Sequence, residues 1–205
     1  MKKIINAPTD VPVETIEGFL EAYGHKYERV AGVKAIRCKE IPDKVAFVIG
    51  GGSGHEPLFS MFVGKNLADA AACGNIFASP DPNTIMQTAL SVNKGKGVLF
   101  VYGNYAGDNL NFDMAADMLE DFGVKSRTVR VWDDVASAPK ERIEDRRGIA
   151  GDVFVIKIGG AATGAGLDLD ESYRVTAKAG QYFQYRRCAF RRSDTWREQA
   201  FFHSS

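Results

Sequence analysis

At 205 residues, 45% of them hydrophobic, the chain is long enough for one or two domains with a buried core and too apolar to be a disordered protein. Its 26 basic and 26 acidic residues cancel, so no global charge points to nucleic acid or an anionic membrane, and small neutral partners are expected. Cys38, Cys73 and Cys188 are odd in number, widely spaced and without a C-x-x-C, which argues against a disulfide framework and a structural zinc site and fits a reducing compartment. No apolar run suits a signal peptide or a membrane span, and a cytoplasmic protein is expected.

In chain order, Thr9 and Asp10 are placed to cap a helix whose Val11, Ile16, Phe19 and Leu20 share a face. Residues 27–41 read as extended or irregular, and the apolar, β-branched run 44–49 as a buried strand. The glycine string 50–54 follows as a loop, with Pro57 placed to begin a helix over residues 58–63. Residues 67–72 are helical by propensity, residues 75–82 form a loop, and residues 83–92 form a helix with Ile85, Ala89 and Val92 inward. Residues 97–102 make a second strand. A polar loop over residues 104–109 then leads, through a cap at Asn109 or Asn111, into a helix carrying Phe112, Ala115, Ala116 and Leu119 and ended by Gly123. Residues 126–132 are a third strand. Residues 153–156 have strand propensity, although Ile149, Val153, Ile156 and Gly160 also keep a helical face. Strand and helix alternating in this way predict an α/β fold, a mainly parallel sheet with helices on both faces.

The first strand and its loop are the most informative stretch. Glycines strip the backbone where it leaves the sheet and let a ligand approach it, and the loop then delivers Ser53, His55 and Glu56. The Lys-Ser/Thr pair of a Walker loop is missing and no G-x-G-x-x-G fits, so a plain nucleotide loop is excluded. Taken alone, the string also reads as a glycine-rich turn with a surface histidine, and Asp108 as a helix-capping aspartate.

The whole string Gly50-Gly51-Gly52-Ser53-Gly54-His55-Glu56-Pro57 resembles the sugar-binding loop of the dihydroxyacetone (glycerone) kinase family, in its substrate-binding K subunit. The resemblance continues through residues 73–80 (C-G-N-I-F-A-S-P), 103–112 (G-N-Y-A-G-D-N-L-N-F), 133–136 (D-D-V-A) and 146–148 (R-R-G), and covers residues 2–180. It implies the first α/β domain of that subunit, with residues 67–72 as a strand and helices over residues 148–163 and 168–179. It implies that Gly52, Ser53 and Gly54 hold dihydroxyacetone and that Asp108 is the base for its hydroxyl, with His55 as its proton-handling companion. It also implies a kinase whose nucleotide, ATP or ADP with magnesium, sits on a separate L subunit, recharged in many bacteria by a phosphotransferase-system relay. No phosphate loop or magnesium-binding carboxylate cluster is found in this chain, and no cofactor of its own is expected. The family's K subunits are homodimers. Paralogues that co-activate transcription offer an alternative reading, as does an inactive gene product.

Two departures qualify the resemblance. Gly103 stands where many family members carry a ligand-holding lysine, which admits a related ketose such as erythrulose. The family also continues into a second domain whose histidine binds the ketone as a hemiaminal, and nothing around His203 resembles it. Residues 181–205 hold five arginines, no lysine and seven aromatics without a period. The expectation is an aberrant, unstructured tail created by a single-nucleotide insertion near codon 181.

Overall fold

The computed structural model describes residues 5–183, so the tail at 184–205 lies outside the described residues. Six strands form one sheet in the order β1-β2-β4-β3-β5-β6. The core strands are β3 (Ala46–Ser53), β4 (Ala70–Ile76), β5 (Val98–Gly103) and β6 (Ser126–Val131), all mutually parallel. An antiparallel pair, β1 (Tyr27–Arg29) and β2 (Ala35–Cys38), extends the sheet beyond β4, so the stretch expected to be extended or irregular holds a hairpin.

Two cores follow from the alternation of side chains along these strands. On one face Ala46, Val48, Phe100 and Tyr102 meet Ile85, Met86 and Ala89 of α2 (Pro82–Val92) and Phe112, Ala115 and Leu119 of α3 (Ala106–Glu120). On the other, Val45, Phe47, Ile49, Leu99 and Val101 meet Val155 and Ile156 of α4 (Gly151–Gly164), with α5 (Leu169–Tyr182) packed beside α4. Helix α1 (Val11–Tyr23) buries Ile16 against Ile36 and Cys73 near the sheet edge. A fully buried side chain such as Phe47 contributes about 2 kcal/mol or more by removal from water. The mainly parallel, doubly covered sheet is the expected architecture.

Several local expectations are corrected. Strand β3 runs through Gly50, Gly51 and Gly52 to Ser53 instead of ending at residue 49. The reason is packing: a Cβ at Gly51 would lie 2.1 Å from the Phe59 ring, and one at Gly52 would lie 2.7 Å from the Ala78 nitrogen. These two glycines admit neighbouring protein chain, which sequence alone cannot distinguish from admitting a ligand. No α-helix follows Pro57; residues 60–62 make a single 3₁₀ turn, and Phe59 and Val63 close the second core. Residues 70–76 are strand, as the family resemblance implies and against local helical propensity, because the chain there is buried between β2 and β3, where alanines fit. Asp10 occupies the N-cap of α1 without a side-chain cap bond, whereas Asp168 caps α5 by accepting from the Glu171 amide at 2.8 Å.

Candidate active site

The chain runs from β3 to β4 on one side of it and then crosses to β5 on the other. The crevice outside the carboxyl ends of β3 and β5 is therefore a topological switch point, where open α/β sheets place their ligands. A cavity of about 670 Å³ lies there, lined by Gly51, Gly52, His55, Phe59, Phe77 and Ser79 from the β3 and β4 loops. Gly103, Tyr105, Asp108, Gly148, Ile149 and Asp152 also line it.

His55 and Asp108, 53 residues apart in sequence, thus share one cavity. His55 is exposed at the rim with its ring edge-on to Phe77, 5.0 Å between centroids. Phe77 is a non-glycine residue in the left-handed region, φ 53°, and its amide donates to the Ser53 carbonyl at 2.8 Å. Such backbone strain often accompanies a functional site. Gly52 lines the cavity. The Ser53 hydroxyl instead donates to the Gly74 carbonyl at 2.7 Å, tying β3 to the β4 loop, and Gly54, φ 94°, is absent from the lining.

Asp108 is in the first turn of α3, which starts at Ala106, earlier than its sequence suggests, and has no side-chain cap at Tyr105. The expected caps are occupied elsewhere: Asn109 donates to the Asn104 side chain at 2.8 Å, and Asn111 to the Pro80 carbonyl at 2.9 Å. Asn104 in turn donates to the carbonyls of Glu144 and Arg146 at 2.7 and 2.6 Å, which fixes the loop carrying Asp108. Asp108 Oδ1 is shut from solvent and has no hydrogen-bond partner among the described residues. Burial raises the Asp108 carboxyl above the ordinary value of 3.8, opposed by the Ser79 hydroxyl and by the charge of His55. The result is a carboxyl of raised proton affinity on the cavity wall.

Sequence reasoning missed Asp152. The D-D-V-A and R-R-G segments bring it in: Asp133 accepts from the Ile149 and Gly151 amides at 2.7 and 2.8 Å and thereby caps α4. Gly148 fits against Gly103, where a Cβ would lie 2.6 Å from the Gly103 Cα. Asp152, in the first turn of α4, then enters the cavity wall with 4% exposure. Burial, with the carboxylates of Asp133 and Asp108 nearby, raises its carboxyl well above 3.8. An acidic residue in a helix's first turn is common enough to carry no sequence signal of its own.

Among the described residues no group of three or more His, Cys, Asp or Glu could hold a metal ion, and no helix is long and apolar enough to cross a membrane. Cys38 and Cys73 are free thiols, pushed up to about 11 and about 12, chiefly by burial.

Three relatives are similar in sequence or fold. The PTS-dependent dihydroxyacetone kinase 2, dihydroxyacetone-binding subunit, of Listeria innocua is 44% identical over 183 residues, 87% of this chain and 54% of that protein. The L-erythrulose 1-kinase of Mycolicibacterium smegmatis is 44% identical over 180 residues, covering 87% of this chain and 31% of that one. The crystal structure of the dihydroxyacetone kinase of C. freundii superposes with a TM-score of 0.81 at 32% identity, over 87% of this chain and 33% of that chain. The chain therefore spans about half the length, or less, of the curated relatives it matches. The Dak1 domain model matches residues 17–193, and together with the shared fold it establishes that this chain belongs to the Dak1 domain family.

Proposed function

We propose that the chain is the ketose-binding part of a dihydroxyacetone kinase, presenting dihydroxyacetone or erythrulose for phosphorylation. The observation that carries this reading is the meeting of His55 and Asp108, whose buried Oδ1 has no partner among the described residues, on one cavity at the switch point of the sheet. The substrate lies against the backbone at Gly52, within the loop that continues through Ser53 and Gly54. A ketose hydroxyl gives its proton to Asp108 as its oxygen attacks a phosphoryl group. His55 holds down the proton affinity of Asp108 and hydrogen-bonds the same hydroxyl. Phosphoryl transfer needs positioning and charge handling more than covalent chemistry, and these residues supply both for the acceptor.

The donor belongs to a partner. ATP or ADP with magnesium resides on a nucleotide-carrying L subunit that docks over the cavity mouth, with a phosphotransferase-system relay as one donor route. The relatives named for dihydroxyacetone binding and for erythrulose phosphorylation support this assignment of substrate class. The setting is cytoplasmic, and the working form is a homodimer.

Calorimetric titration with dihydroxyacetone and with erythrulose tests the reading. Saturable binding to the chain, abolished in the His55→Ala/Asp108→Asn double variant, is expected. The absence of saturable binding by the unmodified chain contradicts it.

A further inference from the structure

We propose that Asp152 is a second substrate-contacting carboxyl, one that hydrogen-bonds an oxygen of the bound ketose other than the hydroxyl facing Asp108. The inference rests on the ketose-binding reading above and adds a specificity residue to it.

Three observations carry it. Asp152 is almost completely buried, yet it lines the cavity, and its Oδ1 is shut from solvent without a hydrogen-bond partner among the described residues. Native proteins satisfy the great majority of such groups, so an unpartnered one in a ligand cavity points to the ligand as partner. Its neighbour Asp133 shows the contrast: it is equally buried, but both of its oxygens accept backbone amides at the start of α4. Asp152 therefore has no capping role left to fill there.

Gly103 is the third observation. A Cβ at residue 103 would lie 3.2 Å from Asp152 Oδ2 and 3.2 Å from the Tyr105 ring. Any larger side chain there would sit over Asp152 on the cavity wall. Glycine leaves the carboxyl reachable from the cavity.

The ligand chemistry follows from the charge environment. Asp152 shares the cavity with Asp108 and has Asp133 nearby, so it is best accommodated as the neutral acid, which offers one O–H donor and one carbonyl acceptor. A neutral α-hydroxyketone presents a carbonyl acceptor beside a hydroxyl donor and suits it. A ligand already carrying a phosphate would meet two acidic groups and no lysine or arginine among the described lining residues, with only the His55 ring at the rim to offset its charge.

The test uses the 205-residue chain with carboxyl-labelled aspartate and dihydroxyacetone as probe, read by difference infrared spectroscopy and by titration. A protonated-carboxyl band that is absent from Asp152→Asn should shift when dihydroxyacetone binds. Affinity should fall about tenfold in Asp152→Ala and less in Asp152→Asn, which keeps one donor and one acceptor. Should neither variant fold, Asp152→Glu, which keeps a carboxyl but loses the aspartate label, identifies the band whose shift decides. Binding of unchanged strength in both variants, or a carboxyl band that dihydroxyacetone does not move, overturns the inference and leaves the ketose-binding reading standing. Failure of the unmodified chain to bind dihydroxyacetone overturns that reading, and this inference with it.

Discussion

The two ends of the parallel strands treat their acidic residues in opposite ways. At the amino end, Asp69 pairs with the Lys44 ammonium and also accepts from the Phe47 amide at 2.8 Å, while Lys44 reaches the Val45 carbonyl at 3.2 Å and the Thr163 hydroxyl at 3.4 Å. At the carboxyl end, Asp108 and Asp152 each keep a buried oxygen with no protein partner among the described residues. Both ends are packed against the same cores, so burial alone does not separate them. Unused hydrogen-bonding capacity does, and in the function we propose it marks the ligand-binding end.

The largest effect should come from the carboxyl end. In phosphoryl transfer reconstituted with a nucleotide-carrying partner, Asp108→Asn should lower turnover by roughly two to four powers of ten, the usual loss for a general base. Near-normal turnover would show that the orphaned oxygen is not the base. The amino end should respond in stability instead. Lys44→Ala leaves the Asp69 charge buried, its side chain 6% exposed, and should cost about 3 kcal/mol in urea unfolding while ketose affinity holds. A loss of affinity without a loss of stability would erase the distinction between the two ends.

Smaller effects sharpen the contrast. The Asp152 carboxyl is raised in the folded state, so the stability it contributes is fully present below about 3.8 and is lost as pH rises toward its folded value. Asp152→Asn should therefore become progressively more stable relative to the unmodified chain as pH rises above 4 or so, measured by urea unfolding across pH. A constant difference would mean that Asp152 is ionised in both states. The mildest effect concerns His55, whose charge lowers the Asp108 value. His55→Ala should move the acid limb of the rate profile to higher pH, and an unmoved limb would uncouple the two residues.

Much of this was legible in the sequence, for identifiable reasons. The apolar runs around Phe47 and Phe100 could hardly be anything but buried strands, whereas α5 was legible through the family resemblance and its cap at Asp168 only in the structure. Strand β4 was legible only through family resemblance, because its three alanines are chosen by the tight space between strands. The extent of β3 was hidden for a related reason: Gly51 and Gly52 read as loop but serve contact with Phe59 and Ala78. His55 and Asp108 stood out as members of motifs, whereas their nearness comes from the crossover that places β4 and β5 on either side of β3. Asp152 gave no local sign, since its position depends on Asp133 fixing the start of α4 and on Gly148 fitting against Gly103.

The central claim is that a short ketose binds at the carboxyl ends of β3 and β5, and amide chemical-shift mapping during a dihydroxyacetone titration tests it most directly. The account predicts saturable shifts concentrated at Gly51, Gly52, His55, Gly103, Asp108 and Asp152, with Lys44 and Asp69 at the other end unmoved. Shifts centred on the amino end, or none at concentrations that saturate related kinases, would contradict it.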